Sequence, residues 1–425
     1  MASHPALARR LHTADAVHIG IGSMVGAGLF AVFAPAARAA GSWLLLGLFV
    51  AAVVAFANAT SSAQLAAQYP TSGGTYVYGR ERLGEWWGFL AGWGFVIGKT
   101  ASVAAMAMAF AAYVAPQSWQ KPIAVAAVLA LAAVNYHGVT RTARLTRIVV
   151  TVVLTGLAVT LAVLAARGTG AGWSTGDQAQ PGVPGVLQSA ALIFFAFAGY
   201  ARIATMGEEV VDPERTIPRA VLIAFAVVVP LYAVTALVLL GVLGPVELAR
   251  STAPLREAAA AADVPGWVDA LVVLAAVCAT LGALLALIAG VGRTALAMAR
   301  NGDLPRRLAA VHERYAVPHV AEVALAVVVS GLVLVADLRE AVGFSSFGVL
   351  TYYAVANAAA LTQDAAHRRY PRWLQGVGLV GCVVLALAVP VESLLPGILV
   401  LAVGVAGRAV VTWTRRRGAQ PREWA

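Results

Sequence analysis

Apolar residues run along this chain in long blocks, and polar residues collect in short clusters between them. A helix needs about 20 apolar residues to cross a bilayer. By that measure the blocks predict twelve spans, at roughly 17–35, 42–66, 86–114, 122–138, 147–166, 187–208, 219–243, 267–299, 319–336, 342–362, 375–390 and 394–413. The pattern predicts an all-α polytopic membrane protein.

The charged residues between the blocks set an orientation. With the N-terminus in the cytoplasm, one face collects Arg9, Arg10, Arg80, Arg82, Arg141, Arg144, Arg147, Arg215 and Arg219. Further along, the same face takes Arg306, Arg307, Arg314, Arg368, Arg369, Arg372 and Arg415–Arg417. The other face holds only Arg38, Lys121, Arg167, Arg250, Arg256 and Arg339. Positive charge is retained on the cytoplasmic side of membrane proteins, so both termini are expected there, in the cytoplasmic membrane. The formal net charge of +10 is then topology and not a nucleic-acid footprint. The Arg-rich tail reads as an anchor near anionic lipid.

Composition narrows the class further. Hydrophobic residues are 60% of the chain and charged residues 12%, with a mean hydropathy of +0.80, which excludes an ordinary soluble domain. Met1–Asp15 carries no clear cleavable signal. Cys278 and Cys382 both fall inside apolar blocks and read as small core residues, not as a disulfide. The histidines lack zinc-ligand spacing, so no metal is expected. The spans carry no Ser-His-Asp or paired-carboxylate constellation, and the loops are too short to form a soluble domain, so an enzyme is not expected. No channel-filter motif is evident.

Chemistry concentrates in the first block. Gly20, Gly22, Gly26 and Gly28 fall within nine residues of His18–Phe30. Gly22 and Gly26 form a G-x-x-x-G pair that suits close helix packing. The same density of glycine also suits a helix that breaks, which a membrane tolerates only where the backbone is buried in protein or lines a cavity. A second weakened segment, Phe194–Tyr200, sets Gly199 among bulky aromatics in the sixth block. Interrupted segments at matched positions of two halves point to the midplane site of a secondary transporter. The Gly-rich stretch Tyr69–Tyr78 lacks the Lys-Ser/Thr ending of a phosphate loop and reads as a packed elbow. Val210–Arg219 is a charged connector, and Gly292–Pro305 closes on a Gly/Pro turn.

Four blocks, Ile19–Phe30, Tyr69–Gly84, Phe194–Arg219 and Arg293–Pro305, together make the chain resemble a bacterial permease of the amino acid–polyamine–organocation (APC) superfamily, nearest its cationic-amino-acid-transporter-like branch. The resemblance implies one transporter domain over 1–425 with the LeuT-type fold. That fold has a first five-helix repeat at 17–166, an inverted second repeat at 187–362, and two accessory helices at 375–413. It implies alternating access around broken first and sixth helices. Amides freed at a helix break suit a carboxylate, and carbonyls at the opposite end suit an ammonium group. By matching motifs, the α-carboxylate would lie on the amides around Gly26, Ala27 and Gly28. The α-ammonium would lie on carbonyls near Met24, Phe195 and Ala198, with Phe195 as an aromatic lid. Val25, Phe197 and Gly199 complete the implied substrate site, and Lys99, Arg202 and Tyr200 are the coupling or gating candidates.

The chain departs from the pattern of the family it resembles at two positions. Val153 stands where some proton-coupled relatives place a Lys, which makes exchange or facilitated transport more plausible and leaves proton or sodium coupling open. Ala201, followed by Arg202, stands where relatives that handle cations often have an acid. Lys99 and Arg202 are intramembrane cations, costly there and functional candidates by default. Glu85, Asp269 and Glu392 all sit near span ends. Lys99 could snorkel or bond to carbonyls, and Arg202 could pair with Glu208 or Glu209. Cations without acids favour a neutral, apolar amino acid as substrate, with an acidic one second. The expected partners are this small molecule and the bilayer; oligomeric state is not legible. A non-transporting sensor, or the transporting half of a heteromer, is the rival reading.

Overall fold

The computed structural model describes residues 10–71, 73–138, 143–167 and 181–418, and everything regular in them is helical. The first half comprises α1 (Thr13–Gly28), α2 (Phe33–Ala40), α3 (Leu44–Gln68), α4 (Thr75–Leu83), α5 (Glu85–Val114), α6 (Gln120–Tyr136) and α7 (Ala143–Arg167). After it come α8 (Gly182–Phe197), α9 (Ala201–Ala204), α10 (Pro213–Arg250), α11 (Pro254–Ala261) and α12 (Gly266–Arg300). The chain closes with α13 (His319–Val335), α14 (Leu338–Leu361), α15 (Arg372–Leu387) and α16 (Val391–Gly418).

Among the described residues, eight helical runs are long and apolar enough to cross a membrane, and α13 and α15 are shorter apolar helices. The apolar residues left exposed belong to the same picture. Phe49, Val327, Leu395, Leu399 and Val403 are each more than half exposed and face outward, where only lipid makes such a surface stable. The chain is a multi-pass membrane protein.

Local sequence explains where the helices begin. Asp337 and Glu340 form a reciprocal capping box on α14, with bonds of 2.7 and 2.9 Å that satisfy two otherwise orphaned amides. Pro213 opens α10 at a position where its missing N–H is not needed. Packing then depends on small residues. At the crossing of α5 and α14, a Cβ added at Gly348 would stand 2.7 Å from the Gly94 carbonyl oxygen, so the backbones meet directly. Without a hydrophobic force between helices in lipid, such close contact supplies the adhesion.

A buried polar knot joins α3, α14 and α15. Ser61 donates to the Asn357 side-chain oxygen at 2.7 Å, and Asn357 donates to Asn58 at 2.6 Å. Cys382 donates to the same Asn58 oxygen at 3.3 Å. Cys382 is thus a buried hydrogen-bonding thiol as well as a core residue, and no disulfide forms.

Candidate substrate site

Two interrupted helices face each other at the centre of the chain. The first interruption lies later than the glycines suggest. The chain stays helical through Gly28, turns over Leu29–Val32, and resumes as α2 at Phe33. Ala31 and Val32 amides both donate to the Gly28 carbonyl, each at 3.0 Å. The amides of Gly26, Ala27 and Gly28 therefore belong to the last turn of α1 and are not freed by the break, because this turn is held from outside. A Cβ at Gly28 would stand 1.9 Å from Ala196 Cβ, and one at Gly26 would stand 2.7 Å from the Ala279 carbonyl oxygen. The glycines let α8 and α12 clamp the end of α1. Ala27 lies on this helix, but its side chain is outside the described residues.

The second interruption falls within the expected stretch. α8 ends at Phe197, Ala198–Tyr200 form a 3₁₀ turn, and α9 runs to Ala204. A Cβ at Gly199 would lie 2.3 Å from Ser23 backbone atoms, so only glycine lets this turn sit on α1. The Tyr232 hydroxyl of α10 lies 2.8 Å from the Met24 carbonyl oxygen and 3.1 Å from that of Ala196, bridging the two segments. On the other side, the Ala198 carbonyl accepts from Lys99 Nζ at 3.3 Å and from the Tyr353 hydroxyl at 3.2 Å. The Tyr200 ring stacks on Tyr353, with centroids 4.8 Å apart.

A cavity of about 780 Å³ opens against these segments, a size suited to a small molecule. Of the residues singled out from sequence, Val25, Gly26, Phe195, Ala198, Gly199, Lys99 and Arg202 line it. Met24, Gly28, Phe197 and Tyr200 instead pack behind its wall. Val153 lines the cavity, and so does Cys278, which is half-buried and packs against the core as well. Lys99 bonds a carbonyl and is buried, so it does not snorkel. Arg202 reaches Glu209 at 3.4 Å. Near the cavity's other end, the amides of Arg10 and Leu11 both donate to the Glu209 carbonyl, each at 3.0 Å.

Beside the cavity an ionic cluster ties four segments together. Asp303 accepts from Tyr76 at 2.8 Å, from Arg80 at 3.1 Å and from Arg408 of α16. Arg408 also lies 3.6 Å from Glu85 and over the Phe89 ring, and Asn301 donates to the Tyr76 hydroxyl at 2.8 Å. Burial pushes the Tyr76 hydroxyl up to about 12; the Asn301 bond opposes the shift and Asp303 adds to it. Gly74 makes the elbow possible: its φ is +55°, and a Cβ there would meet the Tyr352 hydroxyl at 2.7 Å.

Tyr232, Tyr353 and Arg408 are functional neighbours that local pattern does not mark out, although Arg408 carries a signal as a cation within the last apolar block. The tyrosines look like any buried aromatic until their partners are known.

Interrupted helices closing on one cavity, within a bundle that faces lipid, define a multi-pass membrane protein built to handle a small solute. Comparison with known proteins makes the class particular. The profile of the amino acid permease family matches residues 11–412. An uncharacterized transporter of Mycobacterium tuberculosis is 57% identical over 418 residues, covering 97% of this chain and 94% of its own length. The branched-chain amino acid permease BcaP of Bacillus subtilis is 26% identical, covering 86% of this chain and 83% of its own length. Human cationic amino acid transporter 4 is 29% identical, covering 82% of this chain and 58% of its own. The chain belongs to the amino acid permease family of the APC superfamily, and it is a transporter, not an enzyme.

Proposed function

We propose that this protein is a secondary transporter that carries a neutral, apolar amino acid across the cytoplasmic membrane by alternating access. The observation that carries the reading is the cavity itself, which is lined at once by α1 ahead of its break and by the Ala198–Gly199 turn of the second interruption. In this reading the spans form two inverted five-helix repeats with two accessory helices, and both termini are cytoplasmic. Arg10, Arg202 and Arg293 then mark the cytoplasmic mouth, and the structure is inward-facing. The substrate ammonium lies on the Ala198 carbonyl, beneath Phe195. The carboxylate lies toward Gly26–Gly28, whose amides become available when the last turn of α1 opens.

The wall supports a neutral substrate. Phe95, Phe195, Val150 and Ala283 supply apolar surface, and the one carboxylate among the lining residues, Glu209, is occupied by Arg202. A cationic side chain would find no free counter-charge. Exchange or export is the second reading, favoured by Val153, which puts an uncharged side chain into the cavity from α7.

Uptake of labelled amino acids into proteoliposomes tests this, with imposed proton or sodium gradients and with preloaded unlabelled amino acid. Saturable flux of an apolar amino acid is expected. Binding without flux would make the protein a sensor, and preference for lysine or arginine would overturn the substrate assignment.

A further inference from the structure

Lys99 occupies the position that a substrate's ammonium group would need. It is 6% exposed, lines the cavity from α5, and points its Nζ at the Ala198 carbonyl, 3.3 Å away. The Tyr353 hydroxyl meets the same oxygen from α14 at 3.2 Å. A carbonyl oxygen has two lone pairs, and Lys99 and Tyr353 already bring two donors to this one. An incoming ammonium group must displace one of them, and only Lys99 both lines the cavity and carries a charge.

The surroundings make the two cations exclusive. The ionisable groups that line the cavity are Tyr76 from α4, Cys278 and Arg293 from α12, Arg202 from α9, and Arg10 and Glu209 from the connecting segments. Across the shared carbonyl stands Tyr353, packed on Tyr200 and Tyr352. Glu209 is bonded to Arg202 at 3.4 Å, so among the described lining residues no free carboxylate can balance two adjacent ammonium groups. Like charges within a few ångströms oppose each other strongly in such a medium.

We propose that Lys99 is a built-in occupant of the ammonium subsite, so that the amino acid and the Lys99 proton bind in alternation. The proposal rests on reading the cavity as the substrate site. On loading, one proton passes from Lys99 Nζ to water in the cavity, the nitrogen keeps the electron pair, and the neutral amine gives up the Ala198 carbonyl. The substrate ammonium takes its place. On unloading, Lys99 takes a proton back from water and bonds to the carbonyl again. A carrier that moves either an amino acid or a proton, but never both, exchanges one for the other. With the proton gradient directed inward, it drives amino acids outward.

The test is binding of the twenty proteinogenic L-amino acids to the purified full-length protein, by calorimetry across pH and by a pH dye in weak buffer. For any amino acid that binds, about one proton should be released per molecule bound, and affinity should rise by up to about 10-fold per pH unit while the empty site is protonated. Lys99→Met should bind with a pH-independent affinity and release no proton. Lys99→Arg keeps the charge but cannot lose a proton, so it should bind at least about 10-fold more weakly, by the same linkage. Binding with no proton release, or a Lys99→Arg variant that binds and releases protons as the natural protein does, would overturn the proposal. If the folded protein binds none of the twenty, the substrate-site reading beneath it fails instead. Should Lys99→Met not fold, Lys99→Gln and the natural protein's own pH series decide the matter.

Discussion

The hydroxyl of Tyr232 lies 2.8 Å from the carbonyl oxygen of Met24, although 208 residues separate them in the chain. The same hydroxyl lies 3.1 Å from the Ala196 carbonyl oxygen. One side chain from α10 thus supplies the polar contact that fastens the end of α1 to the end of α8. Both carbonyls sit where water cannot reach them, so the bond cannot be exchanged for solvent.

Tyr232→Phe removes the one hydroxyl proton that these two carbonyls share. A loss of about 0.5–1.5 kcal/mol is expected, the net worth of a single hydrogen bond. Thermal unfolding in detergent, followed by size-exclusion chromatography, checks it. An unchanged midpoint would show that the bridge contributes nothing to stability.

The glycines of the interrupted segments should be intolerant in proportion to what meets them. Gly26→Leu would drive a side chain into the Ala279 carbonyl and the cavity, and Gly199→Ala would press on Ser23. Both should abolish amino acid binding. Gly331→Ala in α13 meets nothing within 4 Å and should be neutral or stabilising by about 1 kcal/mol. Unchanged affinity in Gly26→Leu would remove this stretch from the site.

The two cysteines make a built-in probe. Cys278 lines the cavity, whereas Cys382 is fully buried and bonded to Asn58. A polar maleimide should label Cys278 alone, and a bound amino acid should slow the labelling. Measured in inverted and right-side-out vesicles, faster reaction from the cytoplasmic side would support the inward-facing assignment. Equal labelling of a Cys278→Ser variant would refute the placement.

The Asp303 cluster should hold α16 to the bundle. Arg408 and Asp303 are both nearly buried, at 4% and 6% side-chain exposure. Arg408→Met leaves Asp303 with less counter-charge, and breaking a buried pair of this kind costs about 3–5 kcal/mol. The loss should appear as a lower melting temperature, largely recovered in the double variant Arg408→Met/Asp303→Asn. Tyr76 in this cluster titrates higher folded than unfolded, about 12 against the ordinary 10. The unfolded chain therefore gives up this proton first as pH rises. Its share of stability is complete below pH 10 and is lost between 10 and 12. Tyr76→Phe should flatten the alkaline fall in melting temperature over that window.

The amino-acid sequence alone determined the membrane class, the positions of most helices, the stretch of the second interruption and the neighbourhood of the first. These depend on local quantities: the length of an apolar block, the density of glycine, the place of a cap. It also marked Lys99 and Arg202, because an ion in an apolar block is conspicuous wherever the chain leads. Only the tertiary structure decided that the glycines of α1 pack against Ala196 and Ala279 while the break itself falls at Leu29–Val32. The same holds for Arg202 choosing Glu209, for Lys99 meeting Ala198, and for Arg408 finding Asp303. Each of these pairings except Arg202–Glu209 joins residues about a hundred positions apart or more, brought together by helix crossings that depend on shape and not on local pattern. Apolar periodicity says that a helix is buried, but in lipid it does not say against which neighbour, because every neighbour and the solvent itself are equally apolar.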